Sequence, residues 1–392
     1  MATTASPHHV RIQSAFEGFW PDRIPICEQA FASSVASEIL GRPVWTGSTD
    51  VHYAEACAYL AGDQAHHEFL DRLLADTVAL ARHFDFDVLH LPWRHTVRPT
   101  RRVDEYRILY GDPEGSDWRI YNYDPESRTY GLSQSARGPM AVEEVVQTIR
   151  TQFRQLDRGD SGQMDELRAR AQREYGNEFV VAGSGGMAVP MEPGWLEATV
   201  VDPKLVGEYI DLQIDRVLAS ILAQYEHGIK LINGGGDFAF NDGPVYSPEF
   251  FRQVMLPRWK RVFEFCRDLG VYYVMRSDGD LWPVADDLFG DGQPHAYYEV
   301  DYDAGMRFDR LRARFPELVL IGNVSCDLLR RGTPDQVARR TRECIEAAGP
   351  RVVAASSNSI MHGTPPANVE ALYEAAKGYR PSRNGNSAAV WV

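Results

Sequence analysis

The sequence predicts an α/β protein, a (β/α)8 (TIM) barrel with an inserted antiparallel β-hairpin. Short apolar segments recur along the chain, and each is followed by a polar loop, which is the pattern of buried parallel strands. Most of these loops lead into a segment with helical spacing of apolar residues, as expected for successive βα units. The eight segments begin near residues 24, 88, 178, 229, 271, 296, 318 and 352.

A larger, doubly wound parallel sheet is the competing architecture. Such a sheet commonly carries a glycine-rich phosphate-binding turn after its first strand, and none is found there. The GSGG sequence at 183–186 lacks the GxGxxG spacing, and the GGGD sequence at 234–237 is not followed by the GK[ST] of a P-loop. These departures favour the barrel.

The first half of the chain supplies three strands and the insertion. A strand at 24–27 precedes an amphipathic helix at 63–83, and a second strand lies at 88–91. Residues 105–134 alternate aromatic and polar residues between the turn signals GDPEG and DPES. We predict that this segment is an antiparallel hairpin that lies over the site as a lid. Helices at 141–156 and 162–174 lead to the third strand at 178–182.

The second half repeats the βα pattern more regularly. A helix at 203–227 precedes the remaining strands. We predict one domain over residues 13–379, because no linker or change of composition divides it. The polar segments 1–12 and 380–392 are predicted to be flexible tails.

Charge and cysteine content restrict the partners and the compartment. The formal net charge is −14, which opposes binding to nucleic acid or to an anionic membrane. The five cysteines are widely spaced and include no CxxC pair, so neither a disulfide framework nor a zinc knuckle is expected. No apolar run approaches the roughly 18 residues of a membrane span. We therefore expect a soluble cytoplasmic protein.

Polar residues past the strand ends are the candidate site, because barrels place their chemistry at the carboxyl ends of the strands. Arg276 and Arg94 are predicted to bind a substrate carboxylate through paired hydrogen bonds. Asp278 or Asp237 is predicted to donate a proton, with His362 as a further catalytic candidate. The other predicted substrate-binding residues are Glu28, Asn233, Asp301, Asn323 and Asn358.

Each candidate also has a purely structural interpretation. Asp278 lies in a tight turn, where an aspartate commonly accepts backbone hydrogen bonds, and Asp242 fits a turn before Gly243. Asn323 and Asn358 can satisfy loop backbone groups, and a single loop histidine is weak evidence for catalysis. Cys326 is more consistent with an inert thiol than with a nucleophile.

The carboxyl-terminal half resembles the uroporphyrinogen decarboxylase superfamily. The resemblance rests on the segment at 243–288, on Ala304-Gly305-Met306, on LIGNVSCDLLRRGTPDQV at 320–337 and on ASSNSIMHGTPPANVEALYEAA at 355–376. It covers roughly residues 200–378 well and the first half in outline. The superfamily includes the decarboxylase and cobalamin-linked methyltransferases on a single (β/α)8 barrel, and its members commonly form homodimers.

The chain departs from both branches of that superfamily. The resemblance implies a zinc-binding His-x-Cys after the fifth strand and another cysteine after the last one, whereas this chain has Arg276-Ser277-Asp278 and Ser357-Asn358 there. An arginine does not ligate zinc, so no thiolate–zinc site is expected. The decarboxylase's arginine-rich segment and early aspartate are replaced by Cys27-Glu28-Gln29 and Pro92-Trp93-Arg94, which argues against uroporphyrinogen as the substrate.

Three functions remain open on the sequence. The first is a metal-independent lyase, a decarboxylase acting on another small carboxylate-bearing substrate without a cofactor. The alternative is methyl transfer or demethylation through a corrinoid protein, with zinc or another metal ion held by oxygen or histidine ligands. The third is a barrel that binds a ligand without catalysis.

Overall fold

The computed structural model describes residues 5–94, 97–152 and 164–381. The strands are β1 (Val88–Leu89), β2 (Arg101–Arg102), β3 (Arg107–Tyr110), β4 (Arg119–Asp124), β5 (Thr129–Ser135), β6 (Val180–Gly185), β7 (Leu231–Gly234), β8 (Ala239–Phe240), β9 (Gly243–Pro244), β10 (Tyr272–Arg276), β11 (Ala296–Tyr298), β12 (Val319–Ile321) and β13 (Val352–Val353).

Helices separate most of the strands. They are α1 (Pro7–Glu17), α2 (Ser33–Leu40), α3 (Thr49–Ala61), α4 (Asp63–Phe84), α5 (Val142–Gln152), α6 (Glu166–Tyr175), α7 (Pro193–Val201), α8 (Pro203–Glu226), α9 (Pro248–Phe250), α10 (Leu256–Asp268), α11 (Phe308–Arg314), α12 (Cys326–Arg331), α13 (Pro334–Ala348) and α14 (Pro366–Gly378). A π-helical turn, Phe251–Met255, joins α9 to α10. Among the described residues, no helix combines the length and the apolar character needed to cross a membrane.

Seven strands form one parallel sheet in the order β1-β6-β7-β10-β11-β12-β13. The predicted first strand, at 24–27, lies between the two edges of this sheet. Ile26 forms a parallel bridge with Ala354, next to β13, and its carbonyl accepts a hydrogen bond from Asp87 N, next to β1, at 2.8 Å. The fold is therefore α/β with a curled parallel sheet, as the sequence predicted, and is consistent with the eight-stranded barrel.

Side chains alternate between the two faces of this sheet. Leu231, Val274 and Tyr298 belong to the cluster inside the curl, whereas Ile232 and Tyr297 pack in the layer between strands and helices. This alternation follows from the two-residue period of a strand. Both faces are buried, which explains why the strands read as continuous apolar segments.

The prediction of a flexible tail over residues 1–12 is wrong from residue 7 onward, because α1 begins there. Ser6 caps the helix by accepting a hydrogen bond from His9 N. Ile12 and Phe16 are buried in the cluster inside the curled sheet. These two residues lie one turn apart on the same face of α1, and their burial holds the helix against the curled sheet. Residues 1–4, and 382–392 of the predicted carboxyl-terminal tail, lie outside the described part of the chain.

The predicted hairpin at 105–134 is part of a larger unit, a four-stranded antiparallel sheet in the order β2-β3-β4-β5. Two turns divide this segment into three strands, and Arg101–Arg102 adds the fourth by pairing with β3. The sheet packs on α3, where Tyr130 N donates to Thr49 Oγ1 at 2.9 Å. Tyr53 of α3 stacks on Tyr123 with a centroid distance of 4.3 Å.

Candidate active site

A cavity of about 870 Å³ opens at the carboxyl ends of the parallel strands. Its walls come from the strand ends, from the loops that follow them and from the antiparallel sheet, which contributes Tyr121. Polar residues at its base and sides are Gln29, His90, Arg94, Asp165, Arg168, Asn233, Asp237, Arg276, Glu299 and Asn358. The cavity thus lies where a barrel fold places its chemistry.

Three carboxylates converge at one end of the cavity. One oxygen of each of Asp237, Asp278 and Glu299 lies within 4.8 Å of the other two. Asp237 is exposed, Asp278 is half-buried and Glu299 is 3% exposed. We refer to these three residues as the carboxylate cluster.

Glu299 is fixed by hydrogen bonds to one of its two oxygens. Oε1 accepts from Arg276 Nη1 at 2.9 Å and from Gln29 Nε2 at 2.5 Å. Oε2 is buried and has no hydrogen-bond partner within the described residues. The backbone φ of Glu299 is 63°, a left-handed conformation that is uncommon for a residue other than glycine and that often marks functional sites.

Asp278 is held by Asn358, whose Nδ2 donates to Asp278 Oδ2 at 2.5 Å. Burial raises the pKa of Asp278 to about 7, and the negative charges of Glu299, Asp237 and Asp301 act in the same direction. Burial also raises the pKa of Glu299. Asp278 therefore exchanges its proton close to neutral pH.

Amide side chains connect the cluster to the strand ends. Gln29 Nε2 also donates to the carbonyl of Asn358 at 3.0 Å, and Asn233 Nδ2 donates to Gln29 Oε1 at 3.4 Å. Asn233 Oδ1 is buried without a hydrogen-bond partner among the described residues. An acceptor of this kind is costly unless a ligand satisfies it.

Nitrogen-bearing side chains also line the cavity. Arg94 pairs with Glu55 at 2.9 Å and with Asp165 at 3.5 Å. Burial lowers the pKa of His90 to about 3, with additional effects from the charges of Arg276 and Arg168. His90 is therefore a neutral imidazole at physiological pH.

Four of the predicted site residues have structural partners outside this arrangement. Glu28 is buried, and its carboxylate accepts from Ser356, Tyr298 and Tyr373. Asp301 forms an Asx turn by accepting from the backbone of residues 303 and 304.

Asn323 and His362 are the other two. Asn323 is 0% exposed and bonds the carbonyls of Val300 and Met306, both at 2.9 Å. His362 is exposed and lies 2.7 Å from Ser34 Oγ. The structure therefore places Asn323 and His362 elsewhere. The predicted residues that it brings together are Asp237, Asp278, Arg276, Asn233, Asn358 and Arg94.

The sequence prediction missed five of the polar cavity residues named above, Gln29, His90, Asp165, Arg168 and Glu299. Gln29 adjoins the predicted residue Glu28, and Glu299 lies two residues before the predicted Asp301. The strand ends lie one or two residues earlier than predicted, which turns different side chains towards the cavity. His90 was counted within the strand 88–91, whereas β1 ends at Leu89.

Comparison with known families identifies the carboxyl-terminal half. Residues 187–379 match the family model described as uroporphyrinogen decarboxylase (URO-D). The chain carries a URO-D domain. The predicted resemblance to the URO-D superfamily is thereby confirmed, and the matched region contains the whole carboxylate cluster.

Two solved structures extend the comparison beyond the URO-D domain. A methyltransferase from Methanosarcina mazei is similar over 95% of this chain and 98% of its own, with 17% identity and a TM-score of 0.64. At that identity the similarity concerns the fold. A sugar phosphate isomerase/epimerase from Parabacteroides distasonis covers 85% of this chain and 94% of its own at 8% identity, with a TM-score of only 0.32. No curated protein sequence matches the chain.

The thiolate–zinc site implied by the superfamily resemblance does not fit this URO-D domain. Arg276 and Asp278 occupy the positions of the expected His-x-Cys, and the described lining of the cavity contains no cysteine. Cys326 bonds the carbonyl of Ser359 at 3.3 Å, and burial raises the pKa of its thiol. The donor atoms that converge are carboxylate oxygens, which suit harder cations than a thiolate site does.

Proposed function

We propose that this protein is an enzyme of the URO-D superfamily that transfers a methyl group from a heteroatom to a corrinoid protein, on a closed (β/α)8 barrel. The observation that carries the proposal is the carboxylate cluster around Arg276. It favours methyl transfer over decarboxylation of a small carboxylate, which the sequence had placed first. The superfamily and the fold it shares with the Methanosarcina mazei methyltransferase support the same choice.

Decarboxylation requires a cationic group that is free to bind the substrate carboxylate. Both predicted anchors are already paired with protein carboxylates, Arg276 with Glu299 and Arg94 with Glu55. A substrate carboxylate bound near Arg276 would also lie near the carboxyl groups of Asp237 and Asp278. At about 4 Å two like charges repel by roughly 4 kcal/mol at the effective dielectric of a protein surface. The cavity therefore suits a neutral or cationic methyl donor.

Methyl transfer needs a positive partner for the leaving heteroatom. The bond between the methyl carbon and the heteroatom breaks, its electron pair stays on the heteroatom, and the acceptor supplies the electron pair of the new bond to carbon. The heteroatom then takes up a proton or binds a metal ion. The carboxylate cluster can provide either: Asp278 holds a proton near neutral pH, and the three carboxylates together can hold a cation.

The acceptor is a substrate, a corrinoid carried by a separate protein. The cavity has a volume of about 870 Å³, and the exposed Trp93 indole lies at its wall. Within this chain, Gln29 and Asn358 orient the carboxylate cluster, and the apolar parts of the wall limit access of water to the reacting carbon.

The test uses reduced cob(I)alamin as the acceptor probe with panels of O-, N- and S-methyl compounds. We expect methylcobalamin to form, detected by its absorbance, with at least one donor class. Release of carbon dioxide from a panel of small carboxylic acids is measured in parallel. Carbon dioxide release without methyl transfer would show that the decarboxylase interpretation is the correct one.

A further inference from the structure

We infer that Asp237, Asp278 and Glu299 bind a divalent cation of the Mg²⁺ or Mn²⁺ class. One carboxylate oxygen of each residue already lies within 4.8 Å of those of the other two. Ligands that surround one hard cation at 2.0–2.6 Å are separated by distances of this order. The role of the ion rests on the proposed function, whereas its binding does not.

Charge matching is the first argument. The three carboxylates carry up to three negative charges, and Arg276 is the cation bonded to the cluster. Arg94, the other cavity arginine that forms ion pairs, is neutralised by Glu55 and Asp165. With the cluster ionised, two negative charges remain uncompensated, which equals the charge of one divalent ion.

Two buried oxygens without partners are the second, independent argument. Glu299 is 3% exposed, and its Oε2 has no hydrogen-bond partner in the described part of the chain; the same holds for Asn233 Oδ1 in the same cavity. A buried acceptor left without a partner destabilises the folded state. A bound cation would satisfy Glu299 Oε2 directly, and a water molecule on that cation would reach further acceptors.

Preorganisation of the ligands is the third argument. Gln29 and Arg276 both bond Glu299 through Oε1, which leaves Oε2 available. Asn358 fixes Asp278 through Oδ2. Outer hydrogen bonds of this kind orient ligands at metal sites. The backbone strain at Glu299 serves the same end, since it directs the side chain of a loop residue into the cavity.

The donor set selects the class of ion. Carboxylate oxygens are the ligands of Mg²⁺ and Mn²⁺, and these ions retain open positions for water and substrate when the protein supplies only a few ligands. In the proposed reaction, the ion would bind the heteroatom that leaves with the electron pair of the broken bond, so the proton of Asp278 would not be required at that step.

The experiment measures binding of Mn²⁺ to chelator-treated full-length protein by the loss of the free-ion signal in electron paramagnetic resonance. We expect one ion per chain, and affinity at least about tenfold lower in Asp237→Asn and in Glu299→Gln. Asp237 is exposed, so Asp237→Asn keeps the test valid if Glu299→Gln fails to fold. Asp242→Asn, an exposed carboxylate of the same loop region, is the matched control and should bind like the wild type.

Binding and turnover separate this inference from the proposed function. Stoichiometric Mn²⁺ binding that both variants weaken supports the metal site even if no methyl donor is turned over. Absence of Mn²⁺ binding by the folded wild type, or binding that neither variant changes, overturns the site. If the Asp237→Asn variant transfers methyl groups at the wild-type rate in the presence of a chelator, the metal site is overturned and the proposed function stands.

Discussion

Arg276 Nη1 and Glu299 Oε1 lie 2.9 Å apart at the base of the cavity, and the Glu299 side chain is only 4% exposed. Because removal of one partner leaves a buried charge, Arg276→Gln should lower the free energy of unfolding by about 3 kcal/mol. The measurement is urea unfolding of chelator-treated protein. Arg314→Gln, which breaks the exposed pair with Asp286, is the control and should have a much smaller effect, because solvent screens an exposed ion pair. Equal losses in the two variants would contradict the prediction.

Asp87 joins the segment at 24–27 to β1 and is 0% exposed. Its Oδ2 accepts from Arg23 Nη1 at 2.7 Å and from Ile26 N at 2.8 Å. Asp87→Asn leaves the buried Arg23 with the half-exposed Asp85 as its remaining charged partner, and we expect a loss of about 3–5 kcal/mol in thermal or urea unfolding. Asp85→Asn is the matched control, because Asp85 also pairs with Arg23 but is half exposed. A larger effect at Asp85 would show that Asp87 does not secure this closing segment.

Glu28 should make stability depend on pH. Burial raises its pKa from 4.5 to about 7 in the folded protein. Between these two values the unfolded chain has lost this proton and the folded chain retains it, so stability falls as pH rises from about 4.5 to 7. The shift corresponds to about 3 kcal/mol over that interval.

The variant Glu28→Gln removes this titration, and its unfolding free energy should vary less between pH 4.5 and 7 than that of the wild type. Urea unfolding at a series of pH values measures both slopes. Glu264→Gln, which replaces an exposed carboxyl group, provides the comparison. Parallel curves for the wild type and Glu28→Gln would refute a protonated Glu28.

Asn323 should affect stability and leave substrate binding unchanged. Its φ is 72°, and its amide bonds two carbonyls and Arg340. Asn323→Gly keeps the backbone conformation and loses the hydrogen bonds, whereas Asn323→Ala adds strain of about 1 kcal/mol or more. We expect unfolding free energies in the order wild type, Gly, Ala. The Michaelis constant for a methyl donor should stay at the wild-type value, and a raised constant would restore Asn323 as a substrate ligand.

The strands could be predicted because each is short, apolar and buried on both faces, and the seven-stranded parallel sheet follows their order. Several of the loops predicted to carry the site border one cavity, because a curled parallel sheet gathers its strand ends at one rim. Which side chain of a loop faces the cavity depends on a shift of one or two residues. Glu299 shows this: it was predicted to lie within a strand at 296–300, but β11 ends at Tyr298.

Contacts between distant segments were not predictable from local pattern. The bonds from Gln29 and Arg276 to Glu299 join residues 270 and 23 positions apart, and no spacing rule relates them. Likewise, residues 7–12 of α1 were assigned to a tail, because polar residues outnumber the few apolar ones that form a narrow stripe on this helix. That stripe is stable only because the end of the curled sheet covers it.

Tyr121 belongs to the antiparallel sheet, whereas the carboxylate cluster belongs to loops that follow the parallel strands. The antiparallel sheet therefore helps to set the size and shape of the molecules that the cavity admits. The carboxylate cluster comes from a different part of the chain. Residues of the antiparallel sheet could be exchanged without moving the carboxylates. Library selection confined to the face that carries Tyr121 is accordingly a route to altered ligand selectivity with the carboxylate cluster kept intact.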